Sequence, residues 1–96
     1  MHLISQRPLR EFWQVHPDSE KPLRVWAKVV KTAAWKTFAQ VKKSYGSADQ
    51  YKTFTIFNIG GNKYRLITVI HYNTQKVYVR HILTHKEYDS ETWKKN

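Results

Sequence analysis

The sequence predicts an α+β fold, with N-terminal helices packed on one face of an antiparallel β-sheet. Three observations carry this. Apolar residues recur at helical spacing as far as Tyr45, then alternate at strand spacing from Thr53, where two turn signals, Gly60-Gly61-Asn62 and Tyr72-Asn73-Thr74-Gln75, divide them. A chain of 96 residues holds apolar material for one core, so a single domain over residues 1–96 is expected. Hydrophobic residues are 41% of it and aromatics 15%, a composition that folds rather than stays disordered.

The elements follow in order. His2-Leu3-Ile4 suits a short edge strand. Pro8 fits the first turn of a helix, where a missing N–H costs nothing, and Leu9, Phe12 and Trp13 follow on one side before Pro17 stops it. Asp18 or Ser19 can cap a second helix whose apolar face is Leu23, Trp26, Ala27, Val30, Ala33 and Ala34. Trp35, Phe38 and Val41 suggest a short third helical turn ending near Tyr45-Gly46. Three β-rich segments come next, Thr53 to Ile59, Lys63 to His71 and Lys76 to Leu83, and the tight turns make them a meander.

Alternation sorts these strands into two faces. A turn at Gly60-Gly61 or Gly61-Asn62 puts Phe54, Ile56 and Asn58 on the same face as Arg65, Ile67, Val69 and His71. A second turn at Asn73-Thr74 adds Lys76, Tyr78, Arg80 and Ile82. The other face, with Phe57, Ile59, Leu66, Ile70, Val77, Val79 and Leu83, is the expected core, and His81 falls there as a satisfied core histidine. In this register Ile67 lies opposite Arg80, so Arg65 and Arg80 are expected to be diagonal neighbours within reach of one anion.

Charge points to the partner. Seventeen Lys and Arg against seven Asp and Glu give +10, and Asp49 is the only acid between Lys21 and Lys86. An acid-free basic stretch interleaved with Tyr, Phe and His suits nucleic acid ahead of an acidic membrane or protein surface. With no cysteine, disulfides, thiolate zinc sites and cysteine nucleophiles are excluded. No apolar run approaches a membrane span and no signal-peptide core is visible, so a soluble, cytoplasmic protein without a membrane partner is expected. Thr84-His85-Lys86-Glu87-Tyr88-Asp89 is unusual for a plain connector, because His85 and Tyr88, three apart, pair an imidazole able to move protons near neutral pH with a phenol.

The runs Phe57 to Ile67, Val77-Tyr78-Val79-Arg80 and Thr84 to Asp89, with Trp35, Phe38 and Ser47-Ala48-Asp49, closely resemble the HigB family of bacterial toxins. The resemblance covers Trp35 to Asp89 well and the first 30 residues by length and helical pattern only. It implies a RelE-like fold and an mRNA endoribonuclease that cuts at the translating ribosome, neutralised by a HigA-type helix-turn-helix antitoxin. The family's basic and polar positions fall on Asn62, Lys63, Arg65, Arg80, His85 and Tyr88, the face and loop singled out above.

Without a clustered pair of carboxylates the chain is poorly equipped to hold two Mg²⁺ ions. Attack by the substrate's own 2′-hydroxyl is the expected route, with no metal or other cofactor. The expected roles are Arg65 and Arg80 on the scissile phosphate, Lys63 assisting, His85 as general acid or base, and Tyr88 stacking on a base or sharing the proton transfer. Asn58, Asn62, Lys76, Tyr78 and Lys86 would line the RNA path, and Lys28, Lys31, Lys42 and Lys43 would grip ribosomal RNA. A non-catalytic RNA-binding domain is the runner-up, which RNA binding without cleavage would select. A protein-interaction module is third, and binding indifferent to RNA competition would select that.

Overall fold

In a computed structural model, which describes residues 1–95, the order is β1 (His2–Ile4), α1 (Arg7–Val15), α2 (Glu20–Thr32), α3 (Phe38–Ser44), β2 (Asp49–Tyr51), β3 (Phe54–Ile59), β4 (Tyr64–His71), β5 (Lys76–Thr84) and α4 (His85–Asp89). Short 3₁₀ turns at Pro17–Ser19 and Thr92–Lys95 precede α2 and follow α4. The five strands form one sheet in the order β1-β5-β4-β3-β2. The expected α+β architecture holds: β2 to β5 are antiparallel, and β1 is the edge strand, lying parallel to β5.

The helices form where the residues dictate. Pro8 stands in the first turn of α1, and Thr37 caps α3 by accepting from the Gln40 backbone N–H. Ser19 precedes α2, but its hydroxyl donates to the His16 carbonyl instead of capping. Leu9, Leu23, Trp26, Val30, Trp35 and Val41 drive one side of the helical layer onto Phe57, Ile59, Leu66, Ile70, Val77 and Val79 of the sheet. Burying side chains of this size supplies about 1.5–3 kcal/mol each, the main force holding the layers together. No helix among the described residues is long and apolar enough to cross a membrane.

Both hairpins turn where expected. Phe54↔Val69 and Asn58↔Arg65 set the first register, centred on Gly61-Asn62, and His71↔Lys76 sets the second, centred on Asn73-Thr74. Gly60 and Gly61 both have positive φ, +62° and +69°, a backbone that side chains oppose. Two departures matter for the site. A bulge between Ile67 and Thr68 shifts the β4–β5 register, and the C-terminal segment builds a second core of Phe54, Ile56, Ile67 and Trp93 on the sheet face away from the helices. That face is therefore half covered, not open along its length.

Candidate active site

Arg65 sits at the β3–β4 end of this second face, only 9% exposed. Its Nη1 donates to the carbonyls of Asn62 and Tyr64, both at 3.2 Å, and Nη2 to Asn62 Oδ1 at 3.4 Å. Among the described residues no carboxylate is within ion-pair distance of it. A buried guanidinium held only by neutral acceptors lacks an anion, which a phosphate would supply. Asn58 pairs with Arg65 across β3 and β4.

The segment read as a connector is a short helix. Thr84 and Glu87 form a capping box that starts α4, and the His85 N–H donates to the Lys63 carbonyl at 3.0 Å, fastening the helix beside the first hairpin. His85 Nδ1 lies 2.9 Å from Asp89 Oδ2, one helical turn away. A carboxylate there holds the ring by one nitrogen and leaves Nε2 for other work. Tyr88 faces the sheet, with the Arg65 Cζ 5.4 Å from its ring centre. Trp93 backs it, stacked at 5.3 Å with the rings 13° apart, and the indole N–H donates to the Tyr88 carbonyl at 3.0 Å.

The bulge corrects the expected arginine pair. Thr68 pairs with Val79 and Ile67 with His81, leaving Arg80 as the extra, unpaired residue, and Leu83 is the residue opposite Arg65. Arg80 is exposed and Arg65 buried, so the register does not make them diagonal partners on one anion. Beyond the bulge the faces exchange: Leu83 joins the second core and Ile82 packs on the helix side, the reverse of the expectation. His81 moves with them to the Ile67 side, where its Nε2 is buried and unpartnered. It is not a satisfied core histidine. Burial, then the nearby Arg80 charge, lower its pKa.

Lys63 turns toward the helices, its Nζ 3.0 Å from Asp18 Oδ2, while the Tyr64 hydroxyl donates to Asp18 Oδ1 at 2.6 Å. These two bonds, Tyr64 first, hold the Asp18 carboxyl below its usual range. The structure thus brings together Arg65, Asn58, Asn62 and Tyr88, sets His85 and Lys86 exposed on α4 beside the first hairpin, and directs Lys63 away. Lys76 and Tyr78 lie on the same sheet face toward the second hairpin. Lys28 and Lys31 lie in the helical layer, lining with Arg10, Arg24 and Trp13 a groove of about 430 Å³ between α1 and α2. Lys42 and Lys43 are on α3, and the Lys42 ammonium donates to the Ala48 carbonyl at 2.8 Å. These four lysines belong to the layer on the other side of the sheet from Arg65.

Comparison with known proteins decides the family. Residues 19–91 match the family described as HigB_toxin, RelE-like toxic component of a toxin-antitoxin system. The chain belongs to the HigB toxin family. Among its relatives, the mRNA interferase toxin HigB of Escherichia coli K12 is 32% identical over 92 residues, covering 93% of this chain and 88% of the relative. The mRNA interferase HigB of Shigella flexneri matches to the same extent, and that of Escherichia coli O6:H1 is 28% identical over 95 residues, 96% and 92% of the two chains. The resemblance read from the motifs is thereby borne out, together with the RelE-like α+β fold.

Two residues of this candidate site, Asp89 and Trp93, have no role in the sequence reading, and a third residue, His81, is assigned there to the wrong face. Asp89 was visible as the acid four residues after His85, a spacing that matters only once the segment is helical. Trp93 stood out as a large ring in a polar tail, a residue type seldom left in water. His81 carried no signal, because its face depends on a bulge that no turn residue announces.

Proposed function

We propose that this chain is an endoribonuclease toxin that cleaves mRNA at the translating ribosome by metal-independent attack of the 2′-hydroxyl, held in check in the cytoplasm by a HigA-type helix-turn-helix antitoxin. The observation that carries the reading is Arg65, a buried cation held by neutral acceptors, with no carboxylate in ion-pair distance among the described residues and a phenol against it. The family's toxic role and the mRNA interferase activity named for its relatives support it.

Each residue then has a task. Arg65, fixed by Asn62, holds the scissile phosphate and stabilises the charge that develops on its oxygens. Arg80, exposed on the bulge, takes a neighbouring phosphate rather than the same one. His85, oriented by Asp89, transfers a proton to or from the reacting oxygens through Nε2, and Tyr88 stacks on a base at the cut or shares that transfer. Lys63, tied to Asp18, contributes positive potential from the rim. Asn58 and Lys86 border the RNA, while Lys28, Lys31, Lys42 and Lys43 offer the helical layer to ribosomal RNA. The groups around Arg65 are its own guanidinium, the Asn62 amide and the Tyr88 phenol, a set that suits a phosphate more than a pair of divalent cations.

Expression in bacteria without an antitoxin tests this. Growth and translation should arrest, and Arg65→Ala should release them with a fall of about 10²–10³ in cleavage rate, the scale for losing one transition-state donor. Arg65→Lys should restore little, since an ammonium lacks the fork that the Asn62 and Tyr64 carbonyls hold. Undiminished arrest by a folded Arg65→Ala protein would overturn the assignment.

A further inference from the structure

Resting on that reading, we infer that the part of the same sheet face beyond the Trp93 cluster is a base-stacking subsite for the mRNA chain, built on Tyr78 and His71. The register puts two rows of residues there. Lys76 stands between His2 and His71 in one row, and Tyr78 between Ile4 and Val69 in the next. The His71 and Tyr78 rings meet edge to face, centroids 5.2 Å apart and planes at 75°. His71 and His2 are exposed and Lys76 and Tyr78 half-buried, so a ring pair and an ammonium share an uncovered surface.

Neither row contains a carboxylate, and among the described residues none pairs with Lys76. Rings beside a cation with nothing to neutralise it are the elements that grip single-stranded nucleic acid: the ring receives a base and the ammonium its phosphate. The surface is also continuous with the active site, because Val69 pairs with Phe54, a member of the Trp93 cluster on which Tyr88 rests.

Spacing says which nucleotide is received. From Arg65 to Val69 is four residues of β4, roughly 13 Å at about 3.3 Å per residue. Stacked nucleotides of one strand are about 3.4 Å apart, so the base at Tyr78 is neither of the two joined at the cut but one further along. Stacking tolerates any base, so the subsite sets affinity and register, not sequence preference.

The test uses the full chain and a single-stranded 2′-O-methyl RNA oligonucleotide, which cannot be cut, with one abasic position moved along it. Wild-type affinity should fall about 5- to 150-fold when the abasic position occupies the subsite, the range for one lost base–ring stack. His71→Ala, at an exposed position, and Tyr78→Ala should bind the intact oligonucleotide correspondingly more weakly and be indifferent to that abasic position. Tyr78→Phe keeps the ring and should behave as wild type, which separates stacking from damage to the fold. Equal abasic penalties in wild type and variants, or no wild-type affinity for the oligonucleotide, would overturn the subsite and leave the nuclease reading to its own cleavage assay. The predicted coupling in a protein that cuts no RNA would instead sustain the subsite and sink the nuclease.

Discussion

The guanidinium carbon of Arg65 stands 5.4 Å from the centre of the Tyr88 ring, so the buried cation of β4 and the phenol of α4 form one unit. Neither is placed by its own segment alone. Asn62 in the first hairpin grips the guanidinium, and Trp93 stacks on the Tyr88 ring. A phosphate bound at Arg65 would meet the phenol on the same face.

Trp93 therefore supports the site through Tyr88. Trp93→Ala should cost about 3–5 kcal/mol of stability, as for other large aromatics removed from a core, and should lower cleavage further than the loss of folded protein explains. Trp93→Phe keeps most of the stack while losing the bond to the Tyr88 carbonyl, so it should recover most of the activity. Thermal unfolding and single-turnover cleavage on the same preparations check both. A folded Trp93→Ala protein with full activity would remove Tyr88 from the mechanism.

Much of this arrangement is legible in the chain. Alternation and the Gly60-Gly61-Asn62 turn give the β3–β4 faces correctly, with either of the two turn positions, so Asn58, Arg65 and Ile67 fall on the predicted face. Pro8 and Pro17 delimit α1, and Lys76 and Tyr78 are placed correctly because the second turn also behaves. The reading stops at the bulge, since one inserted residue reverses every face assignment after Arg80. β2 was missed because Asp49-Gln50-Tyr51 lacks an apolar alternation and pairs only as an edge. The covered half of the site face was missed because its lid is a short C-terminal segment held by one indole, which no periodicity reveals.

The pairing of His85 with Asp89 makes a kinetic prediction. His85→Ala should slow cleavage by roughly 10²–10⁴, the usual scale for a lost general acid or base, with little change in RNA affinity. Asp89→Asn should act in the same direction but less, because the imidazole remains while its orientation is loosened. Single-turnover rates beside binding curves distinguish the two. If Asp89→Asn equals wild type, the 2.9 Å contact is only a surface pair.

His81 makes the fold sensitive to acid. Burial and then Arg80 lower its pKa below the usual value of 6.5, so the unfolded chain takes up a proton that the folded chain resists. Stability from this group is whole above about pH 6.5 and falls as the pH drops below it. Melting temperatures measured from about pH 7.5 down to about pH 5 should decline less in His81→Leu than in wild type, since only the wild type must protonate there. Parallel declines would show that His81 does not contribute.

The most direct measurement concerns the bond that is cut. A programmed ribosome carrying mRNA with a single 2′-deoxy sugar at the cleavage position presents the phosphate, the bases and the path along the sheet unchanged, and removes only the internal nucleophile. The account predicts no cleavage at that position, and a 2′,3′-cyclic phosphate on the product of the unmodified mRNA. Cleavage of the deoxy substrate at the normal rate would contradict it.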